Sequence, residues 1–132
     1  MATWEREMVS KAFLCFAVIF AIVGMSLGLW MGSHEDFTLA PVHAHINLLG
    51  WVTMFLAGLY YNAYPERAGM PARIHLALTV IGLLIMAPGL AGLKLGYVSW
   101  GGPMSGIGSI VVFAAMIVFA VIVFRTPSRT RA

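Results

Sequence analysis

Charge is the scarcest commodity in this chain. Of 132 residues, eight are Lys or Arg and five are Asp or Glu, while 61% are hydrophobic. A soluble domain of this length cannot hide so much apolar surface, which excludes a water-soluble globule. The five acidic residues are Glu5, Glu7, Glu35, Asp36 and Glu66. None falls within a long apolar run, so carboxylate-based metal or acid–base sites inside those runs are excluded. Cysteine is reduced to Cys15. That excludes a disulfide framework, a Cys-x-x-Cys-His haem attachment and any thiolate-rich metal site. Period-two alternation is missing as well, and with it the signature of a membrane β-barrel.

What remains is four continuous apolar runs, about 12–31, 43–64, 74–93 and 104–124. Each is close to the roughly 20 residues that a helix needs to cross a bilayer. The expectation is an all-α integral membrane four-helix bundle, with residues 1–132 forming one transmembrane domain and the lipid bilayer as its solvent. The first run follows Glu5 and Glu7 and lacks an Ala-x-Ala cleavage pattern after it. It is therefore read as a retained helix rather than a signal peptide. Arg6, Lys11, Arg67, Arg73, Arg125, Arg129 and Arg131 fall on one side of a four-span topology and only Lys94 on the other. The positive-inside bias then puts both termini in the cytoplasm, in a bacterial inner membrane. The same distribution accounts for the net charge of +3 without any nucleic-acid partner.

The second run opens with Pro41-Val-His-Ala-His-Ile-Asn-Leu-Leu-Gly-Trp51. Ligating side chains at membrane depth are costly and are functional candidates by default. At about 100° per residue, His43 and His45 point roughly 160° apart. One planar macrocycle cannot take both as axial ligands, but two sites on opposite helix faces can. Asn47, Gly50, Met54 and Tyr61 continue the His43 face. Gly50 and Gly58 are expected to leave open ground for a flat cofactor, with Tyr60, Tyr61 and Tyr64 closing the inner end. Three readings of the pair stand side by side: axial ligation of haem iron, copper or zinc binding completed by a partner chain, and interfacial polar residues that only pack.

Elsewhere, Gly24, Gly28 and Gly32 form a small-residue stripe, as do Gly102, Ser105, Gly106 and Ser109; both are expected to be helix-packing faces. His34, Glu35 and Asp36 read as a solvated loop. His75 reads as an interfacial or hydrogen-bonded histidine at the depth opposite to His43. Pro88 and Gly89 are expected to bend the third helix, and Lys94–Pro103 to form an outer loop.

His43-Ala-His45, followed by Gly50, Phe55, Gly58, Tyr61 and Pro65, resembles the His-x-His helix of subunit I of the haem–copper oxidase superfamily. There, one histidine binds the low-spin haem and the other the active-site haem. The His-Ile-Asn-Leu-Leu-Gly-Trp stretch is also similar to the early haem-binding helix of the nitric oxide reductase-like members. The resemblance covers about a fifth of the chain. It implies haem b on His43 and His45, with Asn47, Gly50, Met54 and Gly58 lining the site. Lys94 and Trp100 would stand where that family places its propionate-binding residues. The family's subunit arranges twelve helices in three arcs of four, so a four-helix chain implies a homotrimer. Each protomer would offer His43 to one neighbour and His45 to the other. The family's copper-site histidines and cross-linked tyrosine have no counterpart here. The implied role is accordingly electron transfer with an unknown donor or acceptor, such as quinol, rather than oxygen reduction. The alternatives are a haem- or copper-handling or sensing protein and a haem-free accessory subunit.

Overall fold

The computed structural model describes residues 3–126, and Arg129 and Arg131, assigned above to the basic side, lie outside them. The described chain is helical, with four long elements: α1 (Thr3–His34), α2 (Ala40–Ala63), α3 (Met70–Lys94) and α4 (Val98–Phe124). All four are long and apolar enough to cross a membrane, which makes this a multi-pass membrane protein. Helix is the form that such sequences must take in lipid, because it satisfies every interior backbone N–H and C=O within its own segment. The least apolar span is α2, with a hydropathy of 1.3 against 2.2 to 3.0 for the others. It is the span that carries both candidate histidines.

The helices outrun the apolar stretches. The first apolar run begins at about residue 12, but α1 already begins at Thr3. Ser10 is buried there and donates to the Gly58 carbonyl at 3.0 Å. Hydropathy marks where lipid begins, whereas backbone hydrogen bonding and long basic side chains carry the helix beyond it. For the same reason the expected Lys94–Pro103 loop shrinks to residues 95–97, closed by Gly96 at φ 91°. Pro103 falls early in α4 and Pro88 within a continuous α3. A 3₁₀ turn, Pro65–Arg67, joins α2 to α3. In the α1–α2 turn Asp36 accepts the Thr38 backbone N–H at 2.9 Å. Hydrogen bonds from Thr38, side chain first and then backbone, hold its carboxyl below the usual value.

Neighbouring helices run antiparallel, α1 along α2 and α3 along α4. The start of α1, the 65–69 turn and the end of α4 share one end, which carries Arg6, Lys11, Arg67, Arg73 and Arg125. This is called the basic end below. The α3–α4 seam is built on glycine: a Cβ on Gly108 would sit 2.6 Å from the Met86 Cα, and Gly101 packs on the backbone of Leu93. Small residues allow backbones to come this close. The seam is therefore not the expected stripe. Gly102 and Gly106 have nothing within 4 Å of a Cβ position, and Ser109 is exposed. Of the expected stripe Ser105 does reach the seam, its backbone facing Gly89, whereas Gly102, Gly106 and Ser109 do not, because a hydropathic run alone gives no phase.

At the basic end the core is aromatic. His75, 2% exposed, stacks on Phe119 at 4.8 Å and packs on Phe13 at 4.9 Å. Its Nδ1 shares a hydrogen bond of 3.0 Å with the Tyr61 hydroxyl. His75 is thus a hydrogen-bonded core residue, at the end away from His43. Tyr61→Phe removes the bond and leaves a buried ring nitrogen unpaired, at a cost of about 1–3 kcal/mol. We expect the thermal midpoint in detergent to fall accordingly, and an unchanged midpoint would refute the structural role assigned to this pair.

Candidate functional site

The site residues lie at the end opposite the basic one, where α2 begins. Pro41 occupies the first turn of α2, where its missing N–H costs nothing. His43 and His45 follow one turn in, and the helix then changes winding: Ile46–Thr53 is π-helix. Side chains compete for its carbonyls. Asn47 donates from Nδ2 to the His43 carbonyl at 2.9 Å, and Thr53 donates from Oγ1 to the Leu48 carbonyl at 2.7 Å. Segments of π-helix are uncommon and are found frequently at functional sites.

His43 faces α1. Its ring lies over Gly28, where a Cβ would come within 2.7 Å of its Cε1. Nδ1 is 2.8 Å from the Gly24 carbonyl oxygen. A carbonyl only accepts, so Nδ1 must carry the proton and donate, and in the neutral ring Nε2 then keeps its lone pair. His45 repeats the arrangement on a different face. Its Nδ1–H donates to the Pro41 carbonyl at 2.7 Å, the residue is exposed, and Nε2 is again the lone-pair nitrogen. Tying one ring nitrogen of a histidine to a backbone carbonyl fixes its tautomer and orients the other nitrogen towards a metal. The exposed His34 also bonds its Nδ1 to a carbonyl, that of Trp30 at 2.9 Å, but its ring is stacked on the Trp30 indole.

Each imidazole lies in its own groove. The His43 groove, about 660 Å³, runs along Met25, Gly28, Leu29, Gly32 and Ser33 of α1. The His45 groove, about 300 Å³, is lined by Leu49, Met86, Ser109, Val112, Phe113 and Met116. Both are open rather than enclosed, and both are walled mainly by apolar groups. Among the described residues no group of three His, Cys, Asp or Glu side chains could hold a metal ion. Each groove therefore supplies one imidazole, and a second ligand to the same ion would have to come from elsewhere.

The rest of the expected lining is arranged differently. Gly50 and Gly58 are not open ground, because Phe20 and Leu14 of α1 fill the space above them. Met54 is fully buried in the core. These three residues serve helix packing: α1 seats side chains over the two glycines, and Met54 itself fills the core. Asn47 touches His43 and packs against Gly24, so it holds the histidine's helix turn rather than reaching into a groove. Lys94 is exposed at the last turn of α3, and the Trp100 ring packs onto Gly92 and stacks with Tyr97 at 5.9 Å. Neither Lys94 nor Trp100 lines the His43 or the His45 groove. The tyrosines of the basic end are also engaged: Tyr60 bonds Thr126, and Tyr61 bonds His75. Sequence reasoning missed Gly24 and Gly28 as partners of His43. Their spacing, one helical turn apart, was the signal available.

No family model matches the chain, and no curated protein or solved structure matches it either. Fold and surface together define a multi-pass helical membrane protein with two lone-pair imidazoles presented in separate apolar grooves.

Proposed function

We propose that this chain binds b-type haem as a homotrimer, with His43 of one protomer and His45 of the next ligating each iron. The observation that carries the reading is the matched state of the two rings: Nδ1–H tied to a backbone carbonyl, Nε2 free, one in each groove. Small residues beside both grooves leave room for a flat ring and a second chain. Gly32 has nothing within 4 Å of a Cβ position, and neither has Gly106 in the turn before Ser109. The exposed apolar side chains near the grooves, Leu29 at 76% and Phe113 at 67%, suit contact with a porphyrin face or a neighbouring helix.

A haem held by His43 and His45 would supply a one-electron couple. The protein's own residues would orient the imidazoles, exclude water from the apolar grooves and set the distance between neighbouring sites. The function is then electron transfer in a bacterial cytoplasmic membrane, with quinol as one candidate donor and the basic end facing the cytoplasm. The test is haem content together with molar mass in detergent, on protein from haem-replete cells. We expect one haem per chain and the mass of a trimer, with narrow α and β bands after reduction. A haem-free trimer or a haem-free monomer overturns the reading. A colourless protein that instead retains copper would favour the metal-handling alternative.

A further inference from the structure

The basic end holds a groove of about 370 Å³ that belongs to neither histidine. Ile117, Val121 and Ile122 of α4 form its apolar floor, and Glu66, Arg67 and Arg125 stand at its mouth. The two arginines are brought to one groove by a backbone contact rather than by a carboxylate. Arg67 donates from an Nη to the Arg125 backbone carbonyl at 2.7 Å, which ties the 3₁₀ turn to the end of α4. Among the described residues no ion pair forms on either arginine, and the Arg67 Nε is buried without an acceptor. Two adjacent cations with unspent donors, held over an apolar trough at the edge of a spanning helix, ask for a ligand with an anionic head and a hydrocarbon tail.

We propose that this groove is a binding site for an anionic phospholipid of the leaflet at the basic end. The phosphate would lie between Arg67 and Arg125, and an acyl chain would run along Ile117 and Val121. Guanidinium suits phosphate because its planar fork donates two parallel hydrogen bonds. Depth agrees with this placement: the arginines lie where helices end and headgroups begin, while the α4 side chains continue into the hydrocarbon. Glu66 at the same mouth opposes a second negative charge, which favours a headgroup of single charge over a polyphosphorylated one. The site would fasten the 65–69 turn to α4 through a lipid, and it stands independently of the haem reading.

The test is native mass spectrometry of the full chain in detergent, titrated with dioleoyl phosphatidylglycerol and, separately, with dioleoyl phosphatidylcholine. We expect a retained phosphatidylglycerol adduct that weakens about fivefold in Arg125→Gln, the loss anticipated for one basic contact at a membrane surface. Arg125→Gln keeps the backbone carbonyl that Arg67 uses, so the turn is preserved. Val121→Trp, which fills the trough with the charges intact, should also lose the adduct, whereas Lys94→Gln at the far end should keep it. Equal retention of phosphatidylcholine, or an Arg125→Gln variant that binds phosphatidylglycerol like the parent, overturns the proposal. So does displacement of the lipid by millimolar inorganic phosphate, which would mark the arginines as a site for free anions.

Discussion

His45→Ala is expected to abolish the six-coordinate low-spin haem spectrum and to leave the fold intact. The prediction is sharp because His45 has so little structural work. Its residue is exposed, and its one hydrogen bond runs to the Pro41 carbonyl within the same turn. An exposed helical position of this kind changes stability by roughly 0.5 kcal/mol or less on substitution. Loss of the spectrum can then be assigned to loss of a ligand. His43→Ala should remove the same spectrum at some structural cost, because its Nδ1–H also joins α2 to α1 at Gly24. A neutral hydrogen bond of that sort contributes about 1 kcal/mol. The measurement is the reduced absorption spectrum of each variant beside its thermal midpoint. If either alanine variant keeps the parent spectrum, the scheme of two histidines per iron is wrong. If the parent protein from haem-replete cells never shows pigment, the haem itself is wrong.

The second large effect concerns the seam between α3 and α4. Gly108→Val should destabilise the protein by about 1–3 kcal/mol or prevent its accumulation, the range for forcing bulk into a packed interior. The atoms that a Cβ would strike, the Met86 N and Cα, are backbone and have no rotamer to change, so the helices themselves must separate. Gly106→Val is the paired control. No atom lies within 4 Å of a Cβ there, and the isolated chain should tolerate it. In the proposed trimer, however, the same substitution adds bulk beside the His45 groove, so it should weaken assembly while sparing the monomer's thermal midpoint. Thermal unfolding and molar mass in detergent, measured on both variants, separate the two effects. Similar midpoints for Gly108→Val and the parent would contradict the close helix approach.

That His43 and His45 leave different faces of α2 was legible without tertiary structure, because two residues on one helical turn have their relative orientation set by local geometry. The four spans were equally legible, since runs of that apolarity in lipid can only close their hydrogen bonds internally. The positions of the basic residues suggested which helix ends lie together, and the antiparallel packing brings those ends together. What hydropathy could not supply was phase. In a bilayer the lipid-facing and helix-facing sides are both apolar, so a continuous run does not say which glycine is buried. Gly102 and Gly106 looked like the packing face, while Gly101 and Gly108 are. Gly50 and Gly58 looked vacant and are filled by Phe20 and Leu14, residues 30 and 44 positions distant in the chain. The π segment adds a further shift, because Asn47 and Thr53 bond carbonyls of their own helix and change the winding assumed for every residue beyond it. The Tyr61–His75 pair was open only in part, as a histidine expected to find some partner, since which one depends on how α2 and α3 meet. Composition and spacing determined the spans and that the two imidazoles leave different faces of one helix; contact between helices decided which faces were spent on packing and which were left free to bind.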